Sequence, residues 1–291
     1  MRVLTILVRF GTEQYARAEQ EIDDLFRRQM PDIDRTVLVV DNAMPSGPLA
    51  APGRRRVIGG DNSVREFSAF DRALQVVGQD LRRFDLIHFA TSAFNSLYVR
   101  YLDRFDNRVL ESILRRPRCL GHIDCYNEPV EILGCYTQHW IRTGFFLLPP
   151  EEVKMLGSFV TIRDGRRFFS GNPDAPFHEH APLSETYRQY IIKWLTGVDI
   201  GQGVQWHSHF ALTSETLPEF EHKALSILNE HLLAVRLRAM GCRPIDVTWV
   251  AAMLARGKAA SIPWDTPWHR QLANRDRDAL AVLSQRASAP S

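Results

Sequence analysis

Apolar and polar positions along the N-terminal third of the chain follow two periods in turn, which predicts strands alternating with helices. Val3–Val8 is an unbroken apolar run rich in β-branched residues, typical of a strand buried on both faces. Behind it, apolar residues recur at helical spacing until Pro31, which indicates an amphipathic helix over 13–29. The same alternation predicts further strands at 36–40, 56–58 and 85–89 and a second helix at 65–80.

This order of elements predicts an α/β fold. Strand–helix–strand–strand–helix–strand, with the strands buried on both sides, is typical of a Rossmann-like, mainly parallel sheet flanked by helices. Further along, the pattern predicts a strand at 144–148 and helices at 100–114, 187–195 and 218–240, with another helix beginning at Pro150. We expect an α/β domain over 1–215 and a small helical C-terminal appendage over 216–291.

Charge and composition exclude several classes of protein. The 36 basic residues nearly balance the 34 acidic ones, giving a net charge of +2, so no broad basic surface for nucleic acid is expected. Four of the 36 are lysines, which leaves 32 arginines. Arginine suits phosphate and carboxylate recognition, although a biased genome composition would produce the same excess.

The distribution of apolar residues and cysteines indicates a cytoplasmic protein. No apolar stretch approaches the roughly 18 residues of a membrane-spanning helix, so integral insertion is not expected. The four cysteines, at 119, 125, 135 and 242, follow no metal or redox spacing and are interpreted as reduced thiols.

Polar residues stand at the ends of the predicted strands, where ligands of parallel sheets bind. These candidates are Arg9, Asp41-Asn42, Asp61-Asn62 and Thr91-Ser92. Asp41 and Asn42 either hydrogen-bond a nucleotide base or ribose, or cap a turn; the same two readings apply to Asp61. No Gly-x-Gly-x-x-Gly segment and no P-loop occurs, which disfavours dinucleotide oxidoreductases and P-loop phosphotransferases.

Two His-x-His pairs support a competing hypothesis. His178 and His180 flank Glu179, and His207 and His209 form a second pair. In an extended segment this spacing places both imidazoles on one face, as in zinc sites. The alternative function is therefore a metal-dependent hydrolase with Glu179 as its base, against which stands the chance pairing of abundant histidines.

Several segments taken in order resemble the GT-A class of nucleotide-sugar glycosyltransferases. Within that class the chain is similar to the bacterial group related to rhamnan-synthesis proteins, which build surface polysaccharides. The resemblance lies in the order of segments along most of the chain rather than in any one motif. After the opening strand these segments are VVDNAMP (39–45), GGDNSVREFSAFDRAL (59–74), DLIHFATSAFNSLY (85–98), WIRTGFFLLPPEEV (140–153), HEHAPLSETYRQYIIKWLTG (178–197) and RPIDVTWVAAMLARGKAASIPWDTPWHRQL (243–272).

The resemblance implies a donor site, and the sequence departs from the family's pattern at one part of that site. It implies that Asp41 and Asn42 contact the nucleotide, Asp61 and Asn62 the ribose or donor sugar, and Thr91 and Ser92 the diphosphate region. GT-A enzymes usually carry an acidic motif after the fourth strand that holds Mg²⁺ or Mn²⁺, but here that position reads Ala-Thr-Ser-Ala. Either Asp124 serves as the metal ligand from elsewhere, or arginines and hydroxyls replace the metal; Arg9, Arg65 and Arg142 are the candidates.

The implied reaction is single displacement with inversion, in which a hexosyl or deoxyhexosyl group passes from the nucleotide sugar to a glycan or lipid-linked glycan. By its place in the resembling segment, Glu179 is the expected base, with Arg142 and His180 on the acceptor or diphosphate side. A lipid-linked acceptor implies contact with the inner face of the membrane through basic clusters such as Arg54–Arg56. A third hypothesis, an inactive GT-A-like binding protein, follows from the missing acidic motif.

Overall fold

The apolar runs of the N-terminal third form one half of a central sheet. The computed structural model describes residues 1–45, 47, 53–96, 99–114, 116–197, 210–257, 262–263 and 265–273. The first four strands pair in parallel in the order β3-β2-β1-β4. Their bounds are β1 Arg2–Arg9, β2 Asp34–Asp41, β3 Arg55–Gly59 and β4 Leu86–Thr91.

Later strands extend this sheet beyond β4. They are β5 Arg118–Gly121, β8 Phe145–Leu148 and β9 Arg243–Asp246, and within the described residues the sheet has the order β3-β2-β1-β4-β8-β5-β9. β8 is antiparallel to both β4 and β5, and β5 is parallel to β9, so every strand of this sheet except β8 runs in one direction. The predicted α/β class with a mainly parallel sheet flanked by helices is confirmed.

Helices cover both faces of the sheet. They are α1 Ala18–Gln29, α2 Arg65–Val77, α3 Asn107–Ile113, α4 Pro150–Leu156, α5 Glu185–Thr196, α6 Leu217–Ala239 and α7 Val247–Ala255. Alternate residues of β1 enter two separate cores: Leu4 and Ile6 pack with α2 and α6, while Val3 and Leu7 pack with α1 and α3. This double burial explains why β1 lacks an alternating pattern.

The middle of the chain differs from its predicted elements. The helix expected over 100–114 is divided into a 3-10 helix, Val99–Arg104, and α3. Asp106 begins α3 by accepting a hydrogen bond from the Val109 amide at 2.7 Å, since a short carboxylate satisfies a free amide of the first turn. A two-stranded hairpin, β6 Ile123–Ile132 and β7 Cys135–Ile141, was not predicted.

The described part of the C-terminal segment 216–291 contains more than helices. It supplies β9 at the edge of the central sheet, and α6 packs into the same core as β1 and α2. β9 has only four residues, too few to show a strand period. No helix in the described ranges is long and apolar enough to cross a lipid bilayer.

Candidate functional site

The carboxyl end of the parallel strands is the edge of the sheet where the predicted site residues gather. β1 lies between β2 and β4, so β2 and β3 extend the sheet on one side of β1 and β4 extends it on the other. In open α/β sheets, ligands bind beside the strand where the order reverses in this way. Arg9, Asp41 and Thr91 end these three strands. The backbone ties them together, because the Ser92 amide donates to the Val8 carbonyl at 2.8 Å.

Asp41 holds the loops that leave β1 and β2. Its Oδ1 accepts hydrogen bonds from the amides of Gly11 at 2.9 Å and Ala43 at 3.0 Å, and its Oδ2 accepts one from Arg9 Nε at 2.8 Å. Arg9 also pairs with Glu19. Burial raises the pKa of Asp41, but these hydrogen bonds and the Arg9 charge outweigh it and leave that pKa below its usual value. Both oxygens therefore serve the protein itself.

Asn42 joins the same region to the start of α2. Its Nδ2 donates to Asn62 Oδ1 at 3.2 Å and to the Arg65 carbonyl at 3.0 Å. A Cβ at Gly60 would lie 2.0 Å from Asn42 Oδ1, so any larger residue there would have to displace the Asn42 side chain. The predicted Asp61 is exposed and accepts hydrogen bonds from Ser63 N and Oγ, both at 2.9 Å. Burial raises the pKa of Asp61, but its serine partners outweigh this and lower it.

Asp124 and Arg142 form a charged pair at the far side of this edge. Asp124 on β6 accepts hydrogen bonds from Arg142 Nε at 2.9 Å and lies 2.8 Å from its Nη2 and 3.3 Å from His122 Nε2. Burial raises the pKa of Asp124, but His122 and Arg142 together hold it well below its usual range. The Arg142 guanidinium lies 5.9 Å from the centre of the Tyr101 ring.

The side chains present do not fit a divalent metal ion. Mg²⁺ and Mn²⁺ take mainly oxygen ligands, carboxylates above all, and the described segment 91–96 at the end of β4 contains no carboxylate. The carboxylate of Asp124 already faces Arg142 and His122. Across the described ranges, no group of three or more His, Cys, Asp or Glu side chains could hold a metal ion. His207 and His209 of the hydrolase hypothesis lie outside these ranges.

Two carboxylic acids that the sequence analysis missed approach the same edge. Thr143 N and Oγ1 both donate to Glu230 Oε1 on α6 at 2.8 Å. Glu66 on α2 accepts from Ser226 Oγ at 3.1 Å. The backbone connects them to the predicted residues, because the Thr91 amide donates to the Gly144 carbonyl at 3.2 Å. The signal for Glu230 is that it is the single acid in the stretch 222–239 of α6, between Leu228 and Leu232.

Burial and neighbouring charges change the acidity of this pair. Burial raises the pKa of Glu230 to about 7; the hydrogen bonds from Thr143 oppose the rise, and Glu66 and Asp124 add to it. The pKa of Glu66 is also raised, first by burial. Both side chains nevertheless keep part of their surface accessible. The edge therefore offers one permanently charged carboxylate, Asp124, and an acid that titrates near neutral pH.

The predicted base, Glu179, lies on a separate surface loop. His178, Glu179 and His180 are all exposed, and together with Arg167 and Pro182 they line an open cavity of about 410 Å³. Arg188 fixes the loop by donating to the carbonyl groups of His178 at 3.0 Å and Glu179 at 3.1 Å. No polar contact within the described residues brings Glu179 to the strand ends.

Comparison with known proteins adds little. No protein-family model matches the chain, and no curated protein matches it. Among solved structures, a mannosyltransferase from Pyrobaculum calidifontis in complex with GDP-mannose and Mn²⁺ is similar over 98% of this chain and 87% of its own, with a TM-score of 0.33 and 14% sequence identity. A similarity of this extent carries no argument about activity.

Proposed function

We propose that this chain is a glycosyltransferase that moves a hexosyl or deoxyhexosyl group from a nucleotide-sugar donor to a hydroxyl group of a glycan. The observation that carries the proposal is the meeting of the strand-end residues at the carboxyl edge of the sheet, on either side of β1. Arg9, Asp41 and Thr91 stand at neighbouring strand ends, as the resemblance to GT-A enzymes implies. In open α/β sheets nucleotides bind at this edge, next to the strand where the order of strands reverses.

The donor site divides between the two sides of β1. On one side, Asp41 shapes the loops at Gly11 and Ala43. Asn42 holds Asn62 and the start of α2, beside which the base or ribose would lie. On the other side, Thr91 and Ser92 provide hydroxyl groups for the diphosphate, since their backbone amides are bonded to Gly144 and Val8. Asp41 acts through the loops it holds, since its own oxygens are already hydrogen-bonded.

Arg142 is the best placed of the three arginines to balance the charge on the departing nucleoside diphosphate. Arg9 lies between two carboxylates, Asp41 and Glu19, and Arg65 pairs with Glu219 near the surface. Arg142 precedes Thr143 and Gly144, which adjoin Thr91. The nearby Asp124 raises the pKa of Arg142, against the effect of burial, so this cation stays charged while the leaving group develops negative charge.

The cellular setting follows from the resemblance. We place the acceptor among bacterial surface polysaccharides of the O-antigen or capsule type, built on the cytoplasmic side of the membrane. A lipid-linked acceptor would bring the enzyme to the inner face of that membrane, where exposed arginines such as Arg54 meet anionic lipid. Cosedimentation with vesicles that contain anionic lipid tests this contact.

Nucleotide-induced stabilisation tests the proposed function directly. A ligand that binds the folded state at 100 times its Kd stabilises it by about 2.7 kcal/mol, so at least one of UDP, dTDP, GDP and CMP is expected to raise the melting temperature. Transfer from the matching nucleotide sugar, followed by release of the nucleotide, then separates an enzyme from an inactive binding protein. A melting temperature unchanged by all four nucleotides contradicts the proposal.

A further inference from the structure

Three carboxylates from three elements converge around Thr143. Glu66 comes from α2, Asp124 from β6 and Glu230 from α6. Thr143 anchors Glu230 through its amide and hydroxyl, and it also approaches the carboxyl group of Glu66. Neighbouring like charges resist simultaneous ionisation, so the negative charges of Glu66 and Asp124 oppose the ionisation of Glu230.

Their partners decide which acid exchanges a proton near neutral pH. Asp124 faces Arg142 and His122, which stabilise its charged form. Glu230 has no such cation in direct contact within the described residues, and its pKa is raised to about 7, first by burial. The titratable and charged groups that influence it are Glu66, Asp124, Arg142, Tyr101, Tyr126 and Tyr187.

We propose that Glu230 is the base that removes the proton from the acceptor hydroxyl. This inference rests on the proposed function and gives Glu230 the role that the sequence assigned to Glu179. The acceptor O–H bond breaks and its proton passes to a carboxylate oxygen of Glu230. The acceptor oxygen forms a bond to the anomeric carbon, and the bond from that carbon to the phosphate oxygen breaks, its electron pair leaving with the nucleoside diphosphate.

The position of Glu230 suits this role better than that of the other carboxylates. Both hydrogen bonds from Thr143 fall on Oε1, which fixes the orientation of the side chain and leaves Oε2 outside this pair of bonds. Glu230 reaches the strand ends through Thr143 and Gly144, next to Thr91. Glu179 stands exposed on its loop, where water rather than the protein surrounds it. A base works best when its pKa lies near the working pH.

Paired substitutions test the assignment in the full-length protein. Glu230→Gln preserves shape but cannot accept the proton, so kcat should fall by about 100-fold or more, while stabilisation by the nucleotide that binds the wild type remains. Glu179→Gln, the matched control, should keep kcat within about threefold of wild type. Wild-type turnover in Glu230→Gln, or loss of turnover in Glu179→Gln alone, overturns the assignment.

The pH profile gives a readout that a merely structural role would not move. The wild type should gain activity as Glu230 deprotonates near pH 7, and this rise is the acidic limb of the profile. Glu66→Gln removes a like charge and should move the acidic limb to lower pH. Thr143→Val removes a hydrogen bond to the charged form and should move it to higher pH. Both variants retain Glu230, so they decide the matter if Glu230→Gln fails to bind nucleotide.

If the acidic limb of the pH–activity profile lies at the same pH in both variants as in the wild type, the role of Glu230 is contradicted, even when transfer itself is observed. Failure of the proposed function looks different, because the wild type would then show neither nucleotide-induced stabilisation nor transfer. The two outcomes are therefore distinguished by the wild-type protein alone.

Discussion

At the scale of single residues, Asp41 shows how a carboxylate at the end of a strand can hold two loops in place. It is 3% exposed and receives hydrogen bonds from the amides of Gly11 and Ala43 and from Arg9. Asp41→Asn removes the negative charge opposite Arg9. It also replaces one carboxylate oxygen by an NH₂ group, which would face the N–H groups that now donate to Asp41. We expect a loss of about 2 kcal/mol in the free energy of unfolding, measured by urea denaturation at pH 7.

The same substitution has a predicted pH dependence. Because the pKa of Asp41 is lowered in the folded state, its contribution is present above the unfolded carboxyl pKa of about 3.9. It is lost as the pH falls through the lower pKa of the folded state. The difference between wild type and Asp41→Asn should therefore shrink from pH 7 to pH 3. Asp174→Asn, at an exposed position, is the control; an equal effect there would refute the prediction.

At the scale of elements, α6 owes its position beside the sheet edge to Asn229. Its Oδ1 accepts from the amides of Thr161 and Ile162 at 2.7 and 2.9 Å, and its Nδ2 donates to the carbonyl groups of Ile162 and Leu225. These bonds attach the segment after α4 to the turn of α6 that carries Glu230. The side chain is fully buried, so water cannot replace them.

Asn229→Ala is therefore expected to destabilise the fold strongly. It leaves buried amide and carbonyl groups unpaired, at a cost of about 3 kcal/mol or more, measured as a lower denaturation midpoint. Glu219→Ala on the same helix removes a half-exposed pair with Arg65 and should cost less than about 1 kcal/mol. Similar losses in the two variants would show that Asn229 does not hold α6.

Elements were predictable where burial leaves a pattern in the sequence. β1, β2 and β4 are each mainly apolar in their central residues, so their alternation with helices predicts the parallel sheet. β5 and β9 have four residues each, and β6 carries polar residues at Asn127 and Glu128 that point to solvent. Such short or half-exposed strands are defined by their partners rather than by a period of their own.

The residues of the candidate site were likewise predictable only where they follow from the strand pattern. Asp41 and Thr91 were found because the ends of parallel strands meet at one edge. Glu66 and Glu230 were missed, because their proximity depends on α2 and α6 packing side by side over the sheet. The roles of Asp41 and Asp61 in holding turns, the second reading of each residue, are visible only in their hydrogen bonds.

At the scale of the whole molecule, the carboxyl edge of the sheet carries a partly buried cation, Arg142, beside the segment that follows β4. Net charge is only +2, so a general positive field does not attract the donor. In the proposed function, recognition of the diphosphate depends instead on local groups at the carboxyl edge, with Arg142 foremost. Arg142 keeps its orientation through two contacts with Asp124, at 2.9 and 2.8 Å, a planar geometry that arginine supports and lysine does not.

This arrangement predicts how nucleotide binding responds to chelation and to substitution. Stabilisation by the bound nucleoside diphosphate should persist in EDTA, because the residues after β4 and around Asp124 do not form a site for a divalent ion. Arg142→Gln should weaken binding by about 10-fold or more, since a charge-assisted hydrogen bond contributes about 1.5–3 kcal/mol. The measurement is the nucleotide-dependent melting temperature with and without EDTA. Arg100→Gln, at an exposed position, is the control and should bind the nucleotide as the wild type does. If EDTA abolishes the stabilisation while Arg142→Gln leaves it unchanged, a metal ion and not this arginine holds the diphosphate.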